Sequence, residues 1–348
     1  MCQAVAPEVY RLDPTTGRNE MGEVELSRRL RAAAARGAAG CPEGAITVHP
    51  EPQEPEDLDL GPVGLWTFAL EELPLDRMRD VAAEIETLGY GTLWFGEAFG
   101  RESLTQAAML LGATERMVIA TGIACIYGRD PVTMAQAQRT LAGAFPGRFL
   151  LGLGLSAPMA VQRVRRQEFV RPLKTMREYL DAMDAAPLGP DLKRAPRRVI
   201  AALGPKMLAL AAERAWGALP YLVPVEHTAL ARERMGSGAL LAVEQAVVLD
   251  SDLTRARDVA RAHVAGYLRV PHYVTSLRAL GFTEDQLVGG GSDEVVDALV
   301  AWGDLDTVVS RVRKHREAGA DHVCLQVLPT DPGGVPLREW RELAAALL

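Results

Sequence analysis

Five residues able to hold a proton or pair with a carboxylate, Glu97, Tyr127, Arg129, Tyr221 and His227, each lie just beyond a short apolar run. Glu97 is the foremost acid or base, since burial raises the pKa of a carboxyl group. His227, in PVEHT, is the best further proton carrier, or else a residue that caps the start of a helix. Tyr221 and Tyr127 are additional donors, and Arg129, in YGRDP, either binds a substrate carboxylate or pairs in the neighbourhood of Asp130. Two further stretches, MVIATGIACIYGRDP and RFLLGLGLS, place Gly122, Gly152 and Gly154 in apolar strand-like runs, next to Ile123 and Ser156. A glycine in a strand packs nothing, so Gly122 and Gly154 either admit a flat ligand or an unusual peptide geometry, or relieve crowding in a tapering core. In ALGPKM the run breaks at Gly204, and Pro205 is a favoured first helical residue. The amides of Lys206 and Met207 then point outward with the positive helix end, an anion site to which the Lys206 ammonium either adds charge or stands by as a solvated surface group. Arg163, Arg165 and Arg166, in VQRVRRQEFVR, either receive carboxylates bidentately or form a solvated face. No Ser/His/Asp order, HExxH or CxxC is present, which weighs against hydrolase and zinc chemistry.

These residues need a frame that brings distant loops together. Apolar runs at 63–68, 92–95, 117–123, 149–154, 198–203, 218–222, 241–248 and 322–327 read as eight strands. Amphipathic segments separate most of them; in LDRMRDVAAEIETLG, Met78, Val81, Ile85 and Leu88 share one face and Gly89 ends the helix. Eight such alternations predict a (β/α)8 barrel of the α/β class, which places its chemistry at the carboxyl ends of its strands. Glu97, the stretch 125–129, Ser156, 204–207 and 221–227 all fall there. An open doubly wound sheet would require GxGxxG after the first strand, and VGLWTFALEELP lacks it. Trp66, Phe95, Phe99 and Ile126 would line the mouth and suit an apolar or partly unsaturated small molecule, or else belong to the core.

Three divisions are expected: a segment 1–50, an acidic proline-bearing linker 51–62, and the barrel 63–348. The chain has 348 residues and a net charge of −7 without a long basic tract, so neither nucleic acid nor an anionic membrane is an expected partner. No apolar run reaches the roughly 20 residues a membrane span needs, and no leader pattern opens the chain, so a cytoplasmic location is expected. Four cysteines do not make a disulfide framework in a chain of this length.

From about Val63 onward the sequence resembles the luciferase-like monooxygenase superfamily, in particular its coenzyme F420-dependent oxidoreductase branch. The stretches that carry the resemblance are LWFGEAFGRES, ATGIACIYGRDP, GRFLLGLGLS, RPLKTMREYLDAMDAAP, AALGPKMLALAAERAWGALPYLVPVEHT and GADHVCLQVL. It implies a flavin or deazaflavin across the barrel mouth and a nonproline cis peptide at the end of the third strand, here Gly122–Ile123. It also implies a ribityl phosphate at Gly204–Met207 and hydride transfer between F420 and a small organic substrate. The anionic glutamate tail of the deazaflavin would meet Arg163 and Arg166. Glu97, His227 and Tyr221 would be the acid–base residues, with Trp66, Phe95, Tyr127 and Arg129 facing substrate. Relatives often carry histidine after the acidic residue; Ala98 stands there in this chain. FMN-dependent monooxygenation is the alternative, and the family implies a homodimer.

The first fifty residues, with CQAVAPEVYRLDP and GCPEGAITV, resemble a small single-cluster bacterial ferredoxin from its second cluster cysteine to its final CP. The resemblance implies Cys2 and Cys41 as thiolate ligands. Two thiolates do not satisfy a three- or four-iron cluster, so an eroded or shortened module without a stable iron–sulfur cluster is expected, or a segment that only packs beside the barrel. A complete module upstream would bring a redox partner, and the alternative of another class is an electron-transfer fusion whose barrel is not catalytic.

Overall fold

Alternate residues of a strand face opposite ways, so a parallel sheet that closes on itself needs side chains to fill its lumen as well as to meet the helices outside. The computed structural model describes residues 2–348 apart from 20, 27, 43, 49–53, 55, 187–191 and 332. Its strands are β1 (Val63–Trp66), β2 (Thr92–Phe95), β3 (Val118–Thr121), β4 (Ala124–Cys125), β5 (Phe149–Gly154), β6 (Arg198–Ile200), β7 (Gly217–Ala218), β8 (Leu240–Leu249), β9 (Val300–Gly303) and β10 (His322–Val327). Parallel pairing runs β10–β1–β2–β3–β5–β6–β7–β8, and β8 pairs again with β10, from His322↔Ala242 to Val327↔Val247. This closes the expected eight-stranded barrel. The short β4 continues the line of β3 beyond a cis peptide bond between Gly122 and Ile123, where the resemblance placed one, and pairs with β5.

The lumen is filled by Trp66, Trp94, Val118, Ala120, Leu150, Val199, Leu219, Ala242 and Cys324, while a larger core of Leu65, Leu93, Ile119, Leu151 and others lies between strands and helices. One polar chain deep in the lumen is fully paired. The Trp94 indole N–H donates to His322 Nε2 at 3.0 Å, and His322 Nδ1–H donates to the Gly61 carbonyl at 2.8 Å, which fixes the neutral tautomer. Gly64 makes room for this pair, since a Cβ there would lie 2.8 Å from the His322 ring. The helix Leu75–Thr87 buries Met78, Val81 and Ile85 as its spacing predicts, and Gly89 follows it at φ +100°.

Two parts of the chain depart from expectation. Of the supposed linker, 51–53 and 55 lie outside the described residues, but the rest is built into the barrel. Glu54 and Glu56 exchange backbone hydrogen bonds with Ala195, and Leu58 and Leu60 join the lumen core. The Leu60 carbonyl accepts from Thr92 Oγ1 at 2.7 Å. Acidic residues and prolines suggested a loose tether, yet its two leucines are buried against the barrel core. The second departure follows β8, where helices Leu253–Tyr267, Pro271–Ala279, Glu284–Leu287 and Asp293–Leu299 and strand β9 form an excursion with its own core. β9 pairs with β8 from Ala246↔Val300 to Leu249↔Gly303, beyond the two residues that pair with β7. Residues 2–48 gather a small separate core of Cys2, Ala6, Val9, Tyr10, Ala33 and Ala34. No helix among the described residues is long and apolar enough to cross a membrane.

Two expected outcomes follow from the packing. Gly152→Ala would bring a Cβ to 1.9 Å from the Thr121 carbonyl oxygen, whereas Gly266 in the helix Leu253–Tyr267 has open space around it. Urea unfolding will show Gly152→Ala destabilised by about 3 kcal/mol or more and Gly266→Ala stabilised by about 0.5 kcal/mol. Burial holds His322 down to about 4 and His315 down to about 3, both from 6.5. Between these values and 6.5 the unfolded chain binds more protons than the folded one, so stability falls as pH drops below about 6.5. A urea midpoint series from pH 7 to pH 4.5 checks this, with a shallower slope for His315→Gln.

Candidate active site at the carboxyl ends of the strands

The barrel brings together the loops that carry the predicted residues, but it gives several of those residues other partners. Glu97, after β2, accepts from the Cys125 amide at 2.7 Å and from Arg129 Nη1 at 3.2 Å, and Arg129 Nη2 bonds its other oxygen. Arg129 also bridges to Glu102, the cap of the helix Ser103–Leu111, and its carbonyl accepts from Tyr179 Oη at 2.9 Å. Glu97 and Arg129 therefore neutralise each other out of solvent, with side chains 6% and 10% exposed. The expectation of a free acid at Glu97 and of an arginine open to a substrate carboxylate is corrected: each holds the other. Asp130 caps its own helix through Val132 and Thr133.

His227 is also turned inward. Its Nε2–H donates to the Leu203 carbonyl at 2.8 Å, its Nδ1 is buried without a partner, and burial lowers its pKa. It does not reach the rim as an exposed acid. Phe95 is fully buried in the core between barrel and helices, which corrects its placement in the mouth, and Ile126 is buried in the same core while lining the cavity beside the mouth. Trp66 remains at the top of the lumen, its indole N–H donating to the Gly122 carbonyl at 3.0 Å, with Phe68 edge-on at 4.6 Å and Tyr221 at 5.2 Å.

The strand glycines serve the barrel wall. A Cβ on Gly122 would strike Trp66 Nε1 at 2.5 Å and one on Gly154 would strike Ile123 at 2.6 Å. Gly152 exchanges hydrogen bonds with Thr121 Oγ1. Crowding relief at an unusual peptide accounts for all three, so close approach by a ligand is not needed to explain them. Gly204 is different, because nothing lies within 4 Å of its Cβ position. It opens the helix Pro205–Arg214 without a side-chain cap, and Gly204, Pro205 and Lys206 are exposed. The Met207 amide is not free as expected; it donates to the Gly204 carbonyl at 3.0 Å, leaving the Lys206 amide facing outward. Ser156, at φ 63°, and Leu222, at φ 52°, take left-handed backbone on this same rim, a conformation that costs about 1–3 kcal/mol for such residues.

Arg163 and Arg166 are exposed beyond β5, while Arg165 lies against Gly128. A cavity of about 460 Å³ beside the mouth is lined by Tyr127, Arg129, Gln167, Thr175 and Tyr179 among others. Cys2 is buried and Cys41 half-buried, both as free thiols, and among the described residues no group of three or more His, Cys, Asp or Glu side chains could hold a metal.

Four residues at the mouth escaped the sequence reading. Tyr221 Oη donates to Gln326 Oε1 at 2.6 Å and lies 2.8 Å from Tyr267 Oη, with Tyr273 packed edge-on against Tyr267. Below them Glu244 is completely buried, accepting from the Leu222 amide at 2.7 Å. The signal for Glu244 and Gln326 was a polar side chain inside a mostly apolar strand, LLAVEQAVVL and HVCLQV respectively; Tyr267 and Tyr273 come from the excursion, whose position no local pattern betrays.

A family model described as Luciferase-like monooxygenase matches residues 60–322. The chain belongs to the luciferase-like monooxygenase family. A Mycobacterium tuberculosis protein named "Putative coenzyme F420-dependent oxidoreductase Rv3520c" is 27% identical over 312 residues, which are 71% of this chain and 89% of its own. Among solved structures, an F420-dependent secondary alcohol dehydrogenase in complex with an F420-acetone adduct superposes with a TM-score of 0.64 at 17% identity, over 84% of this chain and 98% of that one. The oxygenating constituent of the 3,6-diketocamphane monooxygenase of Pseudomonas putida, in complex with FMN, gives 0.59 at 16%, over 83% and 96%. These two likenesses establish the luciferase-like barrel.

In this luciferase-like barrel the Glu97–Arg129 pair is a brace for the loops after β2 and β4. Arg129→Ala leaves a buried carboxylate with its backbone donor alone and will cost about 3 kcal/mol of stability, measured by chemical denaturation.

Proposed function

We propose that this protein is an oxidoreductase that transfers a hydride between coenzyme F420 and a small organic substrate at the carboxyl-end rim of the barrel. The observation that carries the reading is the uncapped, exposed start of the helix Pro205–Arg214 on that rim, in a chain whose Mycobacterium tuberculosis relative bears an F420-dependent name. The space around Gly204, the outward Lys206 amide and the Lys206 ammonium suit a ribityl phosphate. Exposed Arg163 and Arg166 suit the carboxylates of a glutamate tail, which FMN lacks. Ile123, partly exposed after the cis peptide bond, and exposed Phe68 offer apolar surface on the rim. Trp66 closes the lumen below, so a planar ligand is confined to lie across the rim.

Bound there, the deazaflavin supplies or accepts the hydride. The chain supplies orientation and the proton. Tyr221 is the best-placed donor, because burial and its tyrosine neighbour Tyr267 push its hydroxyl well above the ordinary tyrosine range and keep the proton on Oη at neutral pH. At rest Gln326 accepts the hydrogen bond of that proton and fixes the phenol; when the proton passes to substrate that bond is given up, and the Tyr267 hydroxyl, 2.8 Å away, can donate a hydrogen bond to the Oη left behind. The small separate core of residues 2–48 supports the division of the N-terminal segment from the barrel.

Titration of the purified chain with F420 and with FMN tests the reading. F420 binding, weakened about fivefold in Lys206→Ala as for one exposed charge contact, is expected. FMN binding without F420 binding would replace hydride transfer by flavin-dependent monooxygenation, and affinity for neither would overturn the proposal.

A further inference from the structure

Glu244 is the only acidic side chain of β8, in the run LLAVEQAVVL, and it faces the lumen beside its registered partner Cys324. Two of its groups reach one short turn. Its backbone N–H donates to the Pro220 carbonyl at 3.0 Å, and its Oε2 accepts from the Leu222 N–H at 2.7 Å. The residue between those two anchors is Tyr221. Leu222 takes a left-handed backbone, at φ 52°, which a leucine adopts only when something holds it there. The hydrogen bond from its amide into the barrel is that hold. The other carboxyl oxygen, Oε1, is buried with no partner.

We propose that Glu244 is a positioning residue for Tyr221, setting its hydroxyl at the barrel mouth through the two backbone groups that flank it. The inference rests on the reading of Tyr221 as the proton donor at the rim. A second consequence concerns charge. The groups that face Glu244 are Tyr221 and Tyr267 at the mouth, Tyr273 from the excursion and Cys324 from β10, all uncharged at neutral pH. Among the described residues no cation compensates it, and burial raises its carboxyl to about 8 against the single amide bond from Leu222. Glu244 therefore holds the turn as a neutral acid, with its proton on the unpartnered Oε1. A glutamine presents the same acceptor to Leu222 and cannot ionise.

The test uses the full chain with Glu244→Gln and Glu244→Ala, without added chromophore, so that it reads independently of whether F420 binds. Amide exchange at Leu222 will be about tenfold faster in Glu244→Ala, as for the loss of one buried hydrogen bond, and will return to the native rate in Glu244→Gln. The 13C resonance of the labelled Tyr221 ring will shift in the alanine variant and stay in place in the glutamine variant. Because the native carboxyl resists ionisation that the unfolded chain undergoes near 4.5, native stability falls as pH rises from about 4.5 to about 8. The thermal midpoint of Glu244→Gln will accordingly gain on the native protein from pH 5 to pH 8. Should Glu244→Ala fail to fold, this pH-dependent gain in the glutamine variant still decides. An unchanged Leu222 amide and Tyr221 ring in Glu244→Ala, or a Glu244→Gln difference that is flat with pH, would overturn the proposal. Chromophore titration of the native chain is the separate measurement on which the function itself depends.

Discussion

The pairing of β8 with β10 is the interaction on which the rest of the molecule depends. Six consecutive registered pairs, from Ala242↔His322 to Val247↔Val327, join the last strand to the seventh and abolish the free edges of the sheet. β8 is also the longest strand, and both its sides are used. At its start it pairs with β7, and further on, where β7 has ended, it takes up β9. The same strand thus closes the cylinder, carries Glu244 into the lumen and projects above the rim to seat the excursion that delivers Tyr267 and Tyr273.

Once the barrel is closed, its lumen becomes a question of volume. Its bulky rings leave no space for a Cβ on their neighbours, so Gly122 stands beside Trp66 and Gly64 beside His322, while Gly152 and Gly217 let adjacent backbones approach closely. A Cβ at Gly217 would stand 1.8 Å from the Leu240 carbonyl oxygen. Polar groups in the lumen cost free energy wherever they are not paired. Trp94 and His322 satisfy each other, while Glu244 is compensated on one oxygen alone. A packed lumen leaves the rim as the place for the proposed chemistry, and the uncapped start of the helix Pro205–Arg214 lies on that rim.

The site also shows how a barrel separates support from action. Glu97 and Arg129 looked like reactive groups because charged residues at strand ends in this fold commonly are. In the folded chain each is the other's nearest counter-charge, with Glu102 and the Cys125 amide completing the set. That arrangement fixes loops after β2 and β4, and leaves the rim beside Tyr221 as the place where a proton is held by hydroxyls rather than by an exposed carboxylate.

The alternation of apolar runs with amphipathic helices determined the barrel, because periodicity depends only on which residues must be buried; six of the eight strand runs contain the observed strand within them, 241–248 misses its ends by one residue each, and 218–222 overlaps Gly217–Ala218 at Ala218 alone. The helix start at Gly204 was legible as a local backbone feature written in Gly and Pro, whereas the cis bond at Gly122–Ile123 was expected from the family resemblance. The partners of polar side chains were not legible. Whether Glu97 meets solvent or Arg129, whether His227 meets a ligand or the Leu203 carbonyl, and whether Leu58 and Leu60 belong to a tether or to the barrel core depend on contacts between residues far apart in the chain. β9, a four-residue run, and the buried role of Glu244 lay beyond sequence reading for that reason. Burial and charge compensation exist only after the strands have closed, and the tertiary structure alone decided them.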